Sequence, residues 1–176
     1  MKQCIAMLLL SLFCVSASNA SVAAIKKECS AIKKALPGFT NDMQSFSGYS
    51  TQGGKAIAFF DTNRAIRFIH TEAPGETSKD VRDFYYKEGA LIYACYEIHT
   101  YNAPFYMTVA LAKEEGREPF DPKKTIVKKE HFYFSGDKMI EWIGSNKKPM
   151  AKGTKDFEFA EFDRLNFARE LLGLFQ

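Results

Sequence analysis

Little in this chain announces chemistry. There is no GxxxxGK(S/T) loop, no HExxH and no GxGxxG, so phosphate-cradling and zincin chemistry have no support. No GxSxG elbow presents a serine, and no oxyanion donors can be named for one. No CxxC pair is present, which removes the usual dithiol redox centre and the usual thiolate metal site. Uncharged apolar runs are short: the longest spans residues 5–13, against the about 20 residues a helix needs to cross a bilayer. No transmembrane segment is expected. Charge of one sign is also lacking, with 24 Lys and Arg against 21 Asp and Glu, interleaved along the chain. The lysine pairs at 26, 33, 123, 128 and 147 are scattered, so they read as solvated surface. Nucleic acid is not an expected partner, because phosphate binding needs a concentrated basic face.

What is present begins with an address. Lys2 precedes the apolar run, and Ser18 and Ala20 provide small residues three and one positions before a cut after residue 20. Residues 1–20 therefore read as a secretory signal, placing the protein in the bacterial periplasm or outside the cell. Phe13 before Cys14 is too large for lipoprotein processing. Residues 21–176 remain as one domain. Loss of Lys2 leaves 23 bases against 21 acids, a net charge near +2. Cys4 and Cys14 leave with the signal, and Cys29 and Cys95 remain. In an oxidising compartment these two are expected to form a disulfide, worth about 4 kcal/mol in the chain-entropy picture. The alternative is a pair of buried thiols.

Val22, Ile25, Cys29, Ile32 and Leu36 are spaced by three and four residues, the stripe of an amphipathic helix that Pro37 and Gly38 end. Residues 39–55, with three glycines among Ser, Thr and Gln, read as a loop. Three later segments then align on Phe60, Tyr86 and Phe134: AFFDTNRAIRFI, FYYKEGALIYAC and FYFSGDKMIEWI. Each has an aromatic pair, four turn residues and an apolar pair, which is a repeated β-hairpin. FYMTVALAK, after the Asn102–Ala103–Pro104 turn, reads as a further strand, followed by a polar loop over 114–124. Phe162, Leu165, Ala168, Leu172 and Phe175 repeat at helical spacing. The fold expected is α+β: an antiparallel meander of about seven strands built from hairpin repeats, flanked by N- and C-terminal helices.

The cassette FYYKEGALIYA and HFYFSGDKMIEWIG, preceded by STQGGKAIAFFD and by GET at 75–77, resembles a family of exported bacterial proteins with aromatic β-hairpin repeats. It is also similar to the repeats of MORN-type proteins. The resemblance implies the sheet and the bacterial envelope, and assigns no catalytic residue.

Three histidines each have an acid close by: His70 with Glu72, Glu97 with His99, and Glu130 with His131. Residues two apart on a strand share a face. If the turn after Tyr86 pairs residues whose numbers sum to about 177, Ser78 and Asp80 join His70, Glu72, Glu97 and His99 in one polar row. Such a row could be a solvated end of the sheet. It could also hold a divalent metal on His70, Glu72, Glu97 and His99, giving a metal-assisted hydrolase, or supply a serine triad of Ser78, His99 and Asp80. Strand aromatics offer another lead, since Tyr and Trp dominate recognition patches; Tyr101, beside a turn, and Trp142, after Glu141, are the expected accessible ones. The leading expectation is a non-catalytic binding protein with no cofactor, whose partner is an envelope protein, peptide or glycan. Its oligomeric state is left open.

Overall fold

The computed structural model describes residues 20–47 and 52–176; the signal reading of residues 1–19 lies outside them. Helix α1 (Val22–Ala35) starts on Ser21, whose side chain accepts from the Ala24 N–H, and runs into a single tight turn at Leu36–Gly38. Seven strands follow: β1 (Thr40–Phe46), β2 (Gly54–Phe60), β3 (Ile66–Pro74), β4 (Ser78–Lys87), β5 (Ala90–Thr100), β6 (Ile126–Ser135) and β7 (Lys138–Ile143). Between β5 and β6 lies a short helix, α2 (Val109–Glu115), and the chain closes with α3 (Lys155–Gly173). The strands form one sheet in sequence order, every neighbouring pair antiparallel. The α+β meander with a helix at each end is as expected.

The three aligned cassettes are the hairpins β2–β3, β4–β5 and β6–β7. Each carries a bulge at the equivalent place, between Phe59 and Phe60, Tyr85 and Tyr86, and Tyr133 and Phe134. Tight turns demand left-handed residues, and the chain supplies Glu88 and Gly89 at φ 53° and 79°, then Gly136 and Asp137 at φ 56° and 58°. Each bulge places one extra residue on the later strand, Arg67, Ile92 and Ile140, so the aromatic pairs keep their alternation while the pairing beyond the bulge shifts by one residue.

Two strand assignments need correction. The polar TNDMQSF segment is β1, an edge strand, so it has no buried face to print an alternation on the sequence. FYMTVALAK is not a strand: Thr108 caps α2 by accepting from the Leu111 N–H, and Gly116 at φ 65° ends it.

The two helices cover opposite faces. On one, α3 buries Phe157, Ala160, Leu165, Phe167, Ala168 and Leu171 against Ala56, Ala58, Ile69, Phe84, Tyr86, Phe132 and Phe134. Tyr86 donates its buried hydroxyl to the Ala168 carbonyl at 3.1 Å. Phe46 closes this core at the β1 edge, its ring 6.2 Å from that of Phe167. A Cβ on Gly54 would lie 2.4 Å from the Phe46 ring, so a larger residue here would require that ring to shift. On the other face, Ile32 of α1 packs on Phe68 and Tyr85, with Cys29, Leu36 and Phe59 around them. Phe162, placed on the buried stripe by its spacing, instead points outward with Phe159, at 67% and 68% exposure.

Candidate binding surface

Helix α1 covers a ladder of rings that crosses five strands. Phe59 meets Phe68 at 5.5 Å, Phe68 meets Tyr85 at 4.8 Å, Tyr85 meets Tyr93 at 5.4 Å and Tyr93 meets Tyr133 at 5.0 Å. Cross-strand aromatic pairs of this kind stabilise a sheet beyond their area burial. The next row along the strands is polar: His70 pairs with Asp83, Asp83 with Cys95, and Cys95 with His131. One row further, Glu72 and Glu97 flank Val81, and Lys129 follows Glu97.

These polar side chains satisfy one another locally. His70 Nδ1 lies 2.8 Å from Asp83 Oδ1, and this bond, aided by Glu72, raises the imidazole above the ordinary histidine range against the opposing effect of burial. Lys79 Nζ donates to Glu72 at 2.9 Å. His99 Nε2 sits 2.8 Å from Glu97 Oε1, and Lys129 pairs with the other oxygen of Glu97. Glu97 is held below the usual carboxylate range, chiefly by the Lys129 hydrogen bond.

The proposed metal set therefore separates. His70 and Glu72 belong to one cluster, on β3 and β4, while Glu97 and His99 belong to another, on β5 and β6. Among the described residues no three His, Cys, Asp or Glu side chains converge on one ion. The β4–β5 bulge explains the misplacement of the remaining row members. It makes Ser78 pair with Thr100 and Lys79 with His99, so Ser78 and Asp80 stand on the α3 side of the sheet, away from His99. Asp80 there binds Arg82 at 2.9 Å. The serine triad cannot form.

Cys29 and Cys95 are free thiols, which corrects the expected disulfide. Cys29 lines a cavity of about 150 Å³ with Lys26, Tyr93 and Tyr133, so α1 seats it over the aromatic ladder. Cys95 lies in the neighbouring row, two residues beyond Tyr93, a displacement of about 6.6 Å along the strand. Burial pushes the Cys29 thiol up to about 12 and also raises that of Cys95. Asp83 and His131 flank Cys95, but they do not make it a nucleophile. His131 Nδ1 is 2.7 Å from the Tyr93 hydroxyl, and burial lowers its proton affinity, with Lys129 and Lys26 adding to the effect. A protonated thiol beside a neutral imidazole is poorly set for covalent catalysis.

The two aromatics singled out from sequence are both partly covered. Trp142 stacks on Phe132 at 5.6 Å and approaches Phe157 at 6.4 Å, placing it at the margin of the α3 core. Tyr101 packs edge-on against Phe120 at 5.2 Å. It is nevertheless the foot of an excursion over residues 101–125 that carries exposed aromatics.

This excursion has its own internal scaffold. Tyr101 and Phe105 donate backbone N–H groups to Thr77 and Glu76 of the β3–β4 turn, at 2.9 and 2.8 Å. Asn102 clamps its two arms, donating to the Pro119 carbonyl and accepting from the Asp121 N–H. Met107 and Ala112 are each 1% exposed and form its local core. Outward it presents Phe105, Tyr106 and Val109, at 50%, 47% and 75% exposure, with the first two rings edge-on at 5.7 Å. Reading FYMTVALAK as a strand hid this corner. The signal available was the adjacent Phe–Tyr pair between Pro104 and a Thr108 cap.

No family model, no curated protein and no solved structure matches the chain.

Proposed function

We propose that this is an exported, non-catalytic binding protein of the bacterial envelope, whose principal contact surface is the Phe105–Tyr106–Val109 corner. The observation that carries the reading is the combination of a hydrogen-bonded, internally packed excursion with three large apolar side chains turned to solvent. Rigid aromatic anchors lose little conformational freedom on association and dominate interface energetics. The thiol and histidine environments support the non-catalytic half of the reading, since neither supplies a nucleophile paired with a base. Export is supported by the signal-like pattern over residues 1–20, and α1 begins with Ser21 as its cap just after the expected cut. The partner class this surface suits is another envelope protein.

The test is affinity enrichment of the tagged protein, after mild crosslinking in its native envelope, alongside a variant carrying Phe105→Ser, Tyr106→Ser and Val109→Ser. A partner recovered with the parent and lost with the variant is expected, together with a mature N-terminus at Ser21. Equal recovery by both forms, or an uncleaved chain, would overturn the reading.

A further inference from the structure

The turn between β2 and β3 is braced from several sides. Asp61 accepts the Asn63 and Ala65 N–H groups on one oxygen, at 2.9 and 3.1 Å, and the Arg67 guanidinium on the other at 3.2 Å. The Asp61 N–H donates to the Ala65 carbonyl at 3.0 Å, and the Arg64 N–H to the Asp61 carbonyl at 2.9 Å. Within this frame Arg64 is held at φ 61°, a left-handed conformation that glycine adopts freely and a long side chain rarely does. Strained residues persist where their surroundings over-determine them, and they gather at ligand sites.

Arg64 lines a cavity of about 610 Å³ with Thr62, with Thr40 and Asp42 of β1, and with Phe60 and Phe175. That volume falls in the range of small-ligand clefts, about 300–1,000 Å³. Thr40 pairs with Phe60, and Asp42, two residues on, shares the face of Thr40, so this polar pair stands on the same side of the sheet as the Phe60 ring. The Phe60 and Phe175 rings meet edge-on, 6.4 Å apart at 77°, and both are half-buried. Charge within the cavity balances. Asp61, which also borders it, is answered by Arg67, leaving one carboxylate, Asp42, and one guanidinium, Arg64. Among the described residues neither has an ion-pair partner; Asp42 accepts the Met43 N–H on one oxygen and the Gln44 amide on the other, at 2.8 and 3.2 Å.

From this arrangement we propose that the cavity between β1, the β2–β3 turn and Phe175 binds a neutral oligosaccharide. A sugar ring presents a flat face of C–H bonds, which lies against the electron-rich face of an aromatic ring, and Phe60 and Phe175 supply that wall. Its hydroxyls both donate and accept: Arg64 is a fork of donors, Asp42 an acceptor, and the threonine hydroxyls of 40 and 62 are both. Balanced charge gives an ionic ligand no advantage. A free amino acid would also match one carboxylate and one guanidinium, but each oxygen of Asp42 already carries a donor, which leaves lone pairs for hydroxyls and no open carboxylate for an ammonium. β3 separates this site from the Phe105–Tyr106–Val109 corner, since the turn before β3 lines the cavity and the turn after it anchors the 101–125 excursion. The site stands whether or not that corner binds a protein.

The test titrates cellotriose, maltotriose and triacetylchitotriose separately into the purified protein, with backbone amide NMR as readout. Saturable shifts at Thr40, Asp42, Thr62 and Arg64 are expected with at least one of the three. Arg64→Gly removes the guanidinium and relieves the left-handed strain. It should keep or raise the melting temperature while weakening that binding about tenfold, the scale of a lost hydrogen bond to a charged group. Affinity should be the same at low and high salt, as a neutral ligand requires. Absence of saturable shifts with all three sugars at millimolar concentration would overturn the proposal, as would full affinity in Arg64→Gly or tighter binding of L-phenylalanine than of any of the sugars.

Discussion

Cys29 and Cys95 show how position on a sheet decides the state of a side chain. The sequence led to the expectation of a disulfide between them, with a pair of buried thiols as the alternative, but a displacement of one row keeps them apart, and the packing of α1 fixes that row. Alkylation of the unfolded chain that starts at Ser21, without reductant, is expected to add two labels by intact mass, while the folded protein reacts slowly at neutral pH because burial raises both thiols. A chain that accepts no label until it is reduced would contradict this. The histidines give a second residue-scale prediction. The Asp83 hydrogen bond raises His70 above its unfolded value of 6.5, so its stabilisation is fully present below that pH and is lost as pH rises through the folded value. His131 is lowered chiefly by burial; its contribution is present above 6.5 and fades as pH falls. Asp83→Asn should move the His70 titration down, seen in ring-proton NMR, and leave His131 below the ordinary range. An unmoved His70 would show that the Asp83 bond is not what holds the proton.

At the scale of elements, the hairpins were legible because aromatic pair, turn and aliphatic pair recur with left-handed turn residues at the right places. Their bulges were not, since a bulge adds no residue type, only a shift in pairing, and that shift sent Ser78 and Asp80 to the other face. β1 escaped notice because an exposed edge strand imposes no alternation. The outward Phe159 and Phe162 follow helical spacing as well as the buried residues do, so periodicity could not separate them. For the 101–125 excursion, the local core makes a specific claim. Met107→Ala is expected to cost about 3 kcal/mol and to speed amide exchange at Phe120, whose N–H bonds the Met107 carbonyl, while the α3 core keeps its protection. Uniform loss of protection across the sheet would mean that the excursion has no separate core.

The whole molecule is a three-layer arrangement, a sheet with α3 on one face and the shorter α1 on the other. Antiparallel meander topology follows from successive hairpins with short turns, which is why the fold class could be read from sequence. The proposed contact surface could not, because it lies in the long β5–β6 connection, where a helix cap and a buried methionine replace strand alternation. α1 leaves the polar rows of β3 to β6 outside its cover, yet their charges are mutually paired, so exposed apolar area is concentrated elsewhere. The most direct measurement is site-specific photo-crosslinking in the native envelope, with the photoreactive group placed at Tyr106, at Phe159 on α3, or at Lys79 on the polar face. The account predicts one discrete adduct from Tyr106 and none of that mass from the other two. No adduct from Tyr106, or the same adduct from all three positions, would contradict it.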